Sequence, residues 1–220
     1  MPVGRRGRGK LIAVRFRDRA EAGRALAGEL QHLRSDDAVV LALPRGGVPV
    51  AAEVARGLDA PLDVLLVRKL GVPGHEELAF GAVASGGVRV LVDPVVADAR
   101  LDARTIEAAT EAARAELERR EQLYRAGRAP VDAGGRTAVI VDDGLATGAT
   151  MRAAVQAVRA LGADRVVVAV PVAAPETARA LRDVADDVVV VLTPTPFLAV
   201  GSWYADFEPV ADDEVRRLLA

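Results

Sequence analysis

The chain has 220 residues, 51% of them hydrophobic and 27% charged, with a formal net charge of -2; that length supports one sheet-sized core, so residues 1–220 are expected to form a single domain. Charges of both signs are interspersed and the pI is near 5.8, which argues against nucleic acid as a partner. The apolar runs are too short to span a bilayer and no charged-then-apolar leader precedes a cleavage site. With no cysteine there is neither a disulfide nor a thiolate metal site, and the expectation is a cytoplasmic protein without a membrane partner.

Arg5, Arg6, Arg8 and Lys10 sit among glycines, so residues 1–10 are expected to be a disordered basic tail. Ala22, Leu26 and Leu30 fall four apart and predict an amphipathic helix over 18–30. A short apolar strand over 39–43 is broken by Pro44, and a helix over 48–58 ends around Gly57. Residues 62–67 read as a buried strand, and 80–92 as two extended segments around Ser85-Gly86-Gly87, a hairpin signal. A long charged helix over 102–125 carries a thin stripe of Ile106, Ala109, Ala113, Leu117 and Tyr124, so it packs along one face. After a loop over 127–135 come a strand over 138–141, a helix over 151–161 stopped by Gly162, a strand over 166–170, a helix over 175–183 and a strand over 188–192. Strands alternating with helices of this length predict an α/β fold, a mostly parallel central sheet with helices on both faces.

Ligands of such sheets bind beyond the carboxyl ends of the strands, so the loops that follow strands carry the chemistry. Residues 139–150 read VIVDDGLATGAT. The apolar run delivers Asp142 and Asp143 to a strand end, and the small-residue loop Ala146-Thr147-Gly148-Ala149-Thr150 opens a helix. Carboxylates accept hydrogen bonds from vicinal hydroxyls, while free N–H groups at a helix start attract an anion. Ribose 5-phosphate has both features. An acid pair before a glycine turn also ends ordinary strands and caps helices, which leaves the Thr-Gly-x-Thr run unaccounted for. After the first strand, Arg45-Gly46-Gly47 combines a guanidinium with two residues that let the backbone approach an anion closely. Arg68 and Lys69 open a Gly- and Pro-punctuated stretch that holds His75, read either as a basic loop over an anion or as a surface ion-pair loop with Glu76 and Glu77. Four of the seven aromatics cluster as Phe197, Trp203, Tyr204 and Phe207. That cluster reads either as a stacking surface for a flat ring, with Asp206 accepting an N–H, or as a mini-core pinning the terminus.

The 139–150 segment resembles the phosphoribosyl pyrophosphate (PRPP) motif of type I phosphoribosyltransferases, closest to the adenine-type branch, and Arg45-Gly46-Gly47 is similar to the pyrophosphate loop of the xanthine-guanine enzymes. The resemblance implies the type I phosphoribosyltransferase-like fold with a small hood over 193–210, and transfer of ribose 5-phosphate from PRPP with its Mg2+ to a small-molecule acceptor. It implies Asp142 and Asp143 on the ribose hydroxyls and near the metal through substrate or water, and residues 146–150 on the 5-phosphate. Arg45, Gly46 and Gly47, with Arg68 and Lys69 in a mobile loop, would take the pyrophosphate. Trp203, Tyr204 and Asp206 would face the acceptor. It also implies a non-proline cis peptide near Arg45, and leaves a homodimer open. The chain departs from the pattern where it bears on the acceptor: Ala146 stands where hypoxanthine-guanine enzymes carry an aspartate, and Leu78-Ala79-Phe80-Gly81 lacks the glutamate of adenine enzymes. A regulatory protein that binds PRPP or a nucleotide without turnover is therefore the alternative.

Overall fold

The computed structural model describes residues 15–220, so the expected basic tail lies outside the described residues. Its strands in chain order are β1 (Ala38–Ala42), β2 (Leu62–Val64), β3 (Val67–Val72), β4 (His75–Ala84), β5 (Arg89–Leu91), β6 (Thr137–Val141), β7 (Arg165–Val172) and β8 (Asp187–Leu192). The helices are α1 (Arg19–Glu29), α2 (Gly47–Leu58), α3 (Asp93–Asp98), α4 (Ala103–Arg125), α5 (Ala149–Ala160), α6 (Pro175–Leu181) and α7 (Asp212–Leu219).

A parallel sheet in the order β2-β1-β6-β7-β8 forms the centre. Strands buried on both faces need apolar residues at every position, and β1 is buried throughout. Its alternate residues serve two cores. Val40 and Ala42 pack with Leu26 of α1, Val54 of α2 and Leu117 of α4. Val39 and Leu41 face the other side, with Met151 and Val155 of α5 and Leu181 of α6. The expected α/β class with helices on both faces holds. Local chemistry sets the helix starts: Asp18 and Asp102 accept the N–H groups of Glu21 and Thr105, and Pro175 opens α6.

The stretch read as one strand over 62–67 is two. Leu65 N–H still reaches the carbonyl of Ala42, but Leu66 turns to Ser85, whose hydroxyl accepts its N–H and whose own N–H donates to the Leu66 carbonyl. The chain then enters a separate antiparallel sheet, β3-β4-β5. Arg68 and Lys69 consequently stand in β3, opposite Val83 and Ala82, and not in the expected loop. A uniform apolar run has no periodicity to reveal such a departure. The hairpin expected around Ser85-Gly86-Gly87 is present as β4 and β5, while α3 and α7 add elements the sequence reading omitted.

Residues near the amino end meet the carboxyl-terminal segment. Phe16 N–H donates to the Trp203 carbonyl, and the N–H groups of Ala205 and Asp206 donate to Phe16 and Arg17. Phe16, Ala22, Val172 and Tyr204, with Leu192, Phe197, Trp203 and Phe207 around them, form a small third core at the carboxyl ends of β7 and β8. No helix among the described residues is long and apolar enough to cross a membrane.

Candidate functional site

From β1 the chain crosses to β2 on one side, whereas from β6 it proceeds to β7 and β8 on the other. The carboxyl ends of β1 and β6 therefore flank a topological switch point, the crevice where open α/β sheets bind ligands. Leu43 N–H donates to the Val141 carbonyl, which places the turn after β1 against the acids after β6. A Cβ on Gly46 would lie 2.1 Å from Oδ2 of Asp143, and one on Gly47 would lie 2.7 Å from the Val141 carbonyl oxygen. A side chain at residue 47 would meet the fixed backbone of Val141 and Asp142, whereas one at residue 46 would displace the Asp143 carboxylate. The Pro44–Arg45 peptide is cis, as the resemblance implied.

The two carboxylates differ. Asp142 Oδ1 accepts the Asp143 N–H at 2.8 Å. Burial, reinforced by the charge of Asp143, pushes the Asp142 carboxyl well above its ordinary value of 3.8. Burial also raises Asp143, against the opposing pull of Arg19. Arg19, at the start of α1, donates from Nε to Asp143 Oδ2 at 2.9 Å and from Nη1 to the Glu208 carbonyl at 2.8 Å. Its guanidinium lies 4.0 Å from the ring centroid of Phe207. Arg19 was missed because nothing near it in sequence marks it; its partners are far along the chain.

Gly148 has φ +71°, a left-handed conformation open to glycine, and α5 begins at the next residue. The loop before it is fixed by the Leu145 N–H on the Val172 carbonyl, the Ala174 N–H on the Leu145 carbonyl, and the Thr177 hydroxyl on the Ala146 carbonyl. Ala146, Thr147, Ala149 and Thr150 remain exposed, open to an anion at the helix start. A Cβ on Gly148 would meet Thr177 Cγ2 at 2.7 Å. Gly148→Val is accordingly expected to reduce affinity for ribose 5-phosphate about tenfold or more, through both strain and obstruction, while Ala149→Ser stays close to wild type. Equal affinities in a calorimetric titration would show that the loop does not wrap the phosphate.

Arg68 lines a cleft with Pro44, Thr150 and, from α4, Glu116 and Arg120. Successive strand residues point to opposite faces, and Lys69 does not reach this cleft. Arg120 was missed by sequence reasoning. It pairs with Glu116 at 2.7 Å, and hydrogen bonds from Arg119 and then Arg120 hold the Glu116 carboxyl at about 2. Arg45 is half exposed and stands 3.7 Å from Asp212 Oδ1. His75 lies exposed at the β3–β4 turn. Tyr204 is not an open stacking surface: it is 3% exposed, and its hydroxyl donates to the Asp143 carbonyl at 2.6 Å. Trp203 is partly buried with an indole N–H that lacks a partner. Asp206 is exposed and accepts the Glu208 N–H. Among the described residues no group of three or more His, Cys, Asp or Glu is placed to hold a metal.

An acid pair, a glycine turn and the amino end of a helix, meeting at one switch point, define an α/β protein with its candidate ligand crevice beyond the strand ends. The model of the phosphoribosyl transferase domain family matches residues 17–201, and the chain belongs to that family. A Mycobacterium tuberculosis protein carrying a provisional phosphoribosyl transferase description is 54% identical over 204 residues, 93% of this chain and 46% of that protein; the chain spans about half the length of this curated relative. The crystal structure of a Thermus thermophilus protein is similar with a TM-score of 0.85 at 47% identity, covering 93% of this chain and 97% of that one.

Proposed function

We propose that this protein transfers ribose 5-phosphate from PRPP to a nitrogen acceptor, a nucleobase in the first instance, and releases pyrophosphate. The observation that carries this reading is the convergence of Asp142, Asp143, Arg45-Gly46-Gly47 and Thr147–Thr150 on one crevice. In the reaction the bond from the anomeric carbon to the pyrophosphate oxygen breaks and its electron pair leaves with pyrophosphate. The acceptor nitrogen forms its bond from the opposite face and then gives up its proton to water or to the departing pyrophosphate. The developing cationic sugar favours nearby carboxylates, so the acid pair would both hold ribose hydroxyls and stabilise charge. The helix start at Ala149 would bind the 5-phosphate, and the Arg45–Gly47 turn with Arg68 the pyrophosphate. Magnesium belongs to the substrate in this reading, carried on pyrophosphate oxygens and water, in keeping with an ion that dehydrates reluctantly; two adjacent carboxylates would meet it through substrate or water.

Incubation with PRPP, Mg2+ and a panel of bases, reading pyrophosphate, tests the proposal. Release with at least one base supports it. Tight PRPP binding without release from any would favour the nucleotide-binding regulator, the reading that Ala146 and the missing glutamate support.

The carboxyl-terminal segment is the proposed acceptor side, with Trp203 as its aromatic face and Asp206 as its acceptor of an N–H. Trp203→Ala is expected to weaken nucleotide binding about fivefold, since a stacked ring contributes on the order of 1 kcal/mol beyond its buried area, with PRPP nearly untouched. If Trp203 only packs the third core, both ligands and the melting temperature will fall together.

A further inference from the structure

The Arg19 contact joins three parts of the chain that the reaction reading treats separately. Helix α1 supplies the guanidinium, the carboxyl-terminal segment supplies the Glu208 carbonyl and the Phe207 ring, and the end of β6 supplies Asp143. The side chains of Arg19 and Asp143 are 11% and 14% exposed, so neither is a loosely held surface partner whose pairing solvent would screen away. The contact is through one oxygen. Oδ2 takes Arg19 at 2.9 Å, and the same Oδ2 fills the space where a side chain on residue 46 would stand, 2.1 Å from a Cβ built there. The carboxylate is wedged between the guanidinium and the backbone of the Arg45–Gly47 turn. Tyr204 steadies the same residue from its backbone side by donating to the Asp143 carbonyl.

We propose that Arg19 is a positioning residue: through Oδ2 of Asp143 it sets the backbone of the Arg45–Gly47 turn, and so ties α1 and the carboxyl-terminal segment to the pyrophosphate end of the site. The proposal rests on the phosphoribosyl transfer reading, which assigns pyrophosphate to that turn. Without the guanidinium, the Asp143 carboxylate has no cation to hold it against Gly46, and the turn loses the surface that defines it. The 5-phosphate loop is held by different contacts, to Val172, Ala174 and Thr177, none of them with Arg19. The two halves of the substrate therefore respond differently to one substitution.

The test is a calorimetric comparison of the wild-type chain with Arg19→Gln and Arg19→Lys, titrated with pyrophosphate plus Mg2+ and, separately, with ribose 5-phosphate. In Arg19→Gln the affinity for pyrophosphate is expected to fall about tenfold, the scale of coupling between contacting groups and of a small misplacement of a binding element. Ribose 5-phosphate affinity is expected to fall less, by about threefold at most, because its phosphate loop makes no contact with Arg19 and only its ribose hydroxyls share Asp143 with it. Arg19→Lys restores a cation against Oδ2 and is expected to recover most of the loss. A merely structural Arg19 would lower both affinities equally, along with the melting temperature, and that result would overturn the proposal; so would unchanged pyrophosphate affinity in Arg19→Gln. If Arg19→Gln fails to fold, Phe207→Leu removes the ring beneath the guanidinium while leaving the ion pair. The proposal then requires a smaller loss that is greater for pyrophosphate than for ribose 5-phosphate, and no loss, or equal loss of both ligands, sinks it. A wild-type chain that binds neither probe would instead overturn the transfer reading itself.

Discussion

Asp142→Asn combined with Asp143→Asn is expected to reduce PRPP affinity at least about a hundredfold, since each charge-assisted hydrogen bond to a sugar hydroxyl is worth about 1.5–3 kcal/mol. The fold should survive. The new amide at position 142 retains an oxygen for the backbone N–H of residue 143, which Asp142 Oδ1 accepts at 2.8 Å, and the acids lie at a strand end. Stability should move the other way from binding. A carboxyl raised by burial, as Asp142 is above its ordinary 3.8, is harder to ionise in the folded chain than in the unfolded one. Folding stability is therefore lost as pH rises from the unfolded value through the raised folded one. Asp142→Asn alone removes this penalty, so its stability relative to wild type should rise with pH above about 4 and be equal below it. Chemical denaturation at about pH 3.5, below the start of that window, and at about pH 8, well above its start, reads the sign. A variant less stable at the higher pH would contradict the burial argument, and unchanged PRPP affinity in the double variant would remove the sugar assignment.

The second large effect is on stability. Asp63, midway along β2, and Arg125, at the end of α4, form a buried ion pair with Nε 3.1 and 3.0 Å from the two carboxylate oxygens. Arg125 also donates to the Val64 carbonyl, and the N–H groups of Val64 and Val131 donate to Asp63. Every polar atom at the centre of this network depends on the others. Arg125→Met leaves the Asp63 carboxylate buried without its cation, which costs about 3–5 kcal/mol, or a melting temperature lower on the order of 10 °C for a chain of this size. Adding Asp63→Leu should recover part of the loss, since replacing both partners removes the stranded charge. A melting temperature within about 2 °C of wild type in Arg125→Met would show that water or neighbouring groups reach Asp63.

The legible parts of the chain were those whose signal is local. The apolar runs of β1, β6 and β7 must be uniform because both faces are buried, and the glycine at 148 must be glycine because the helix begins there from a left-handed residue. The Asp-Asp and Thr-Gly-Ala-Thr elements lie within one segment, so their juxtaposition needed no tertiary information. The break between β2 and β3 was not legible, because what draws Leu66 out of the sheet is Ser85, 19 residues away. Arg19 and Arg120 reach the crevice from helices whose own patterns speak only of capping and solvation. Tyr204 was read as a candidate stacking ring since aromatic clustering alone does not distinguish an open face from a packed one. Helix α7 carried readable signs, three acids in its first turn and two arginines in its last, yet its burial of Val215 and Leu219 is against α4 and α2, far along the chain.

The seam between the segments at the two ends of the described residues is built from contacts far apart in sequence. Arg19 and the Glu208 carbonyl are 189 residues apart, and Phe16 is stitched to residues 203 and 205 by backbone hydrogen bonds. Closing so long a loop carries an entropic cost that the contacts across it must repay. During synthesis the strands β1, β6 and β7 are all available before Tyr204 emerges, so the sheet can assemble while Asp143 still lacks both Arg19's final bearing and the tyrosine hydroxyl. The surroundings of Asp143 are in that sense complete only once residues 204–208 are available, after the scaffold strands and not along with them.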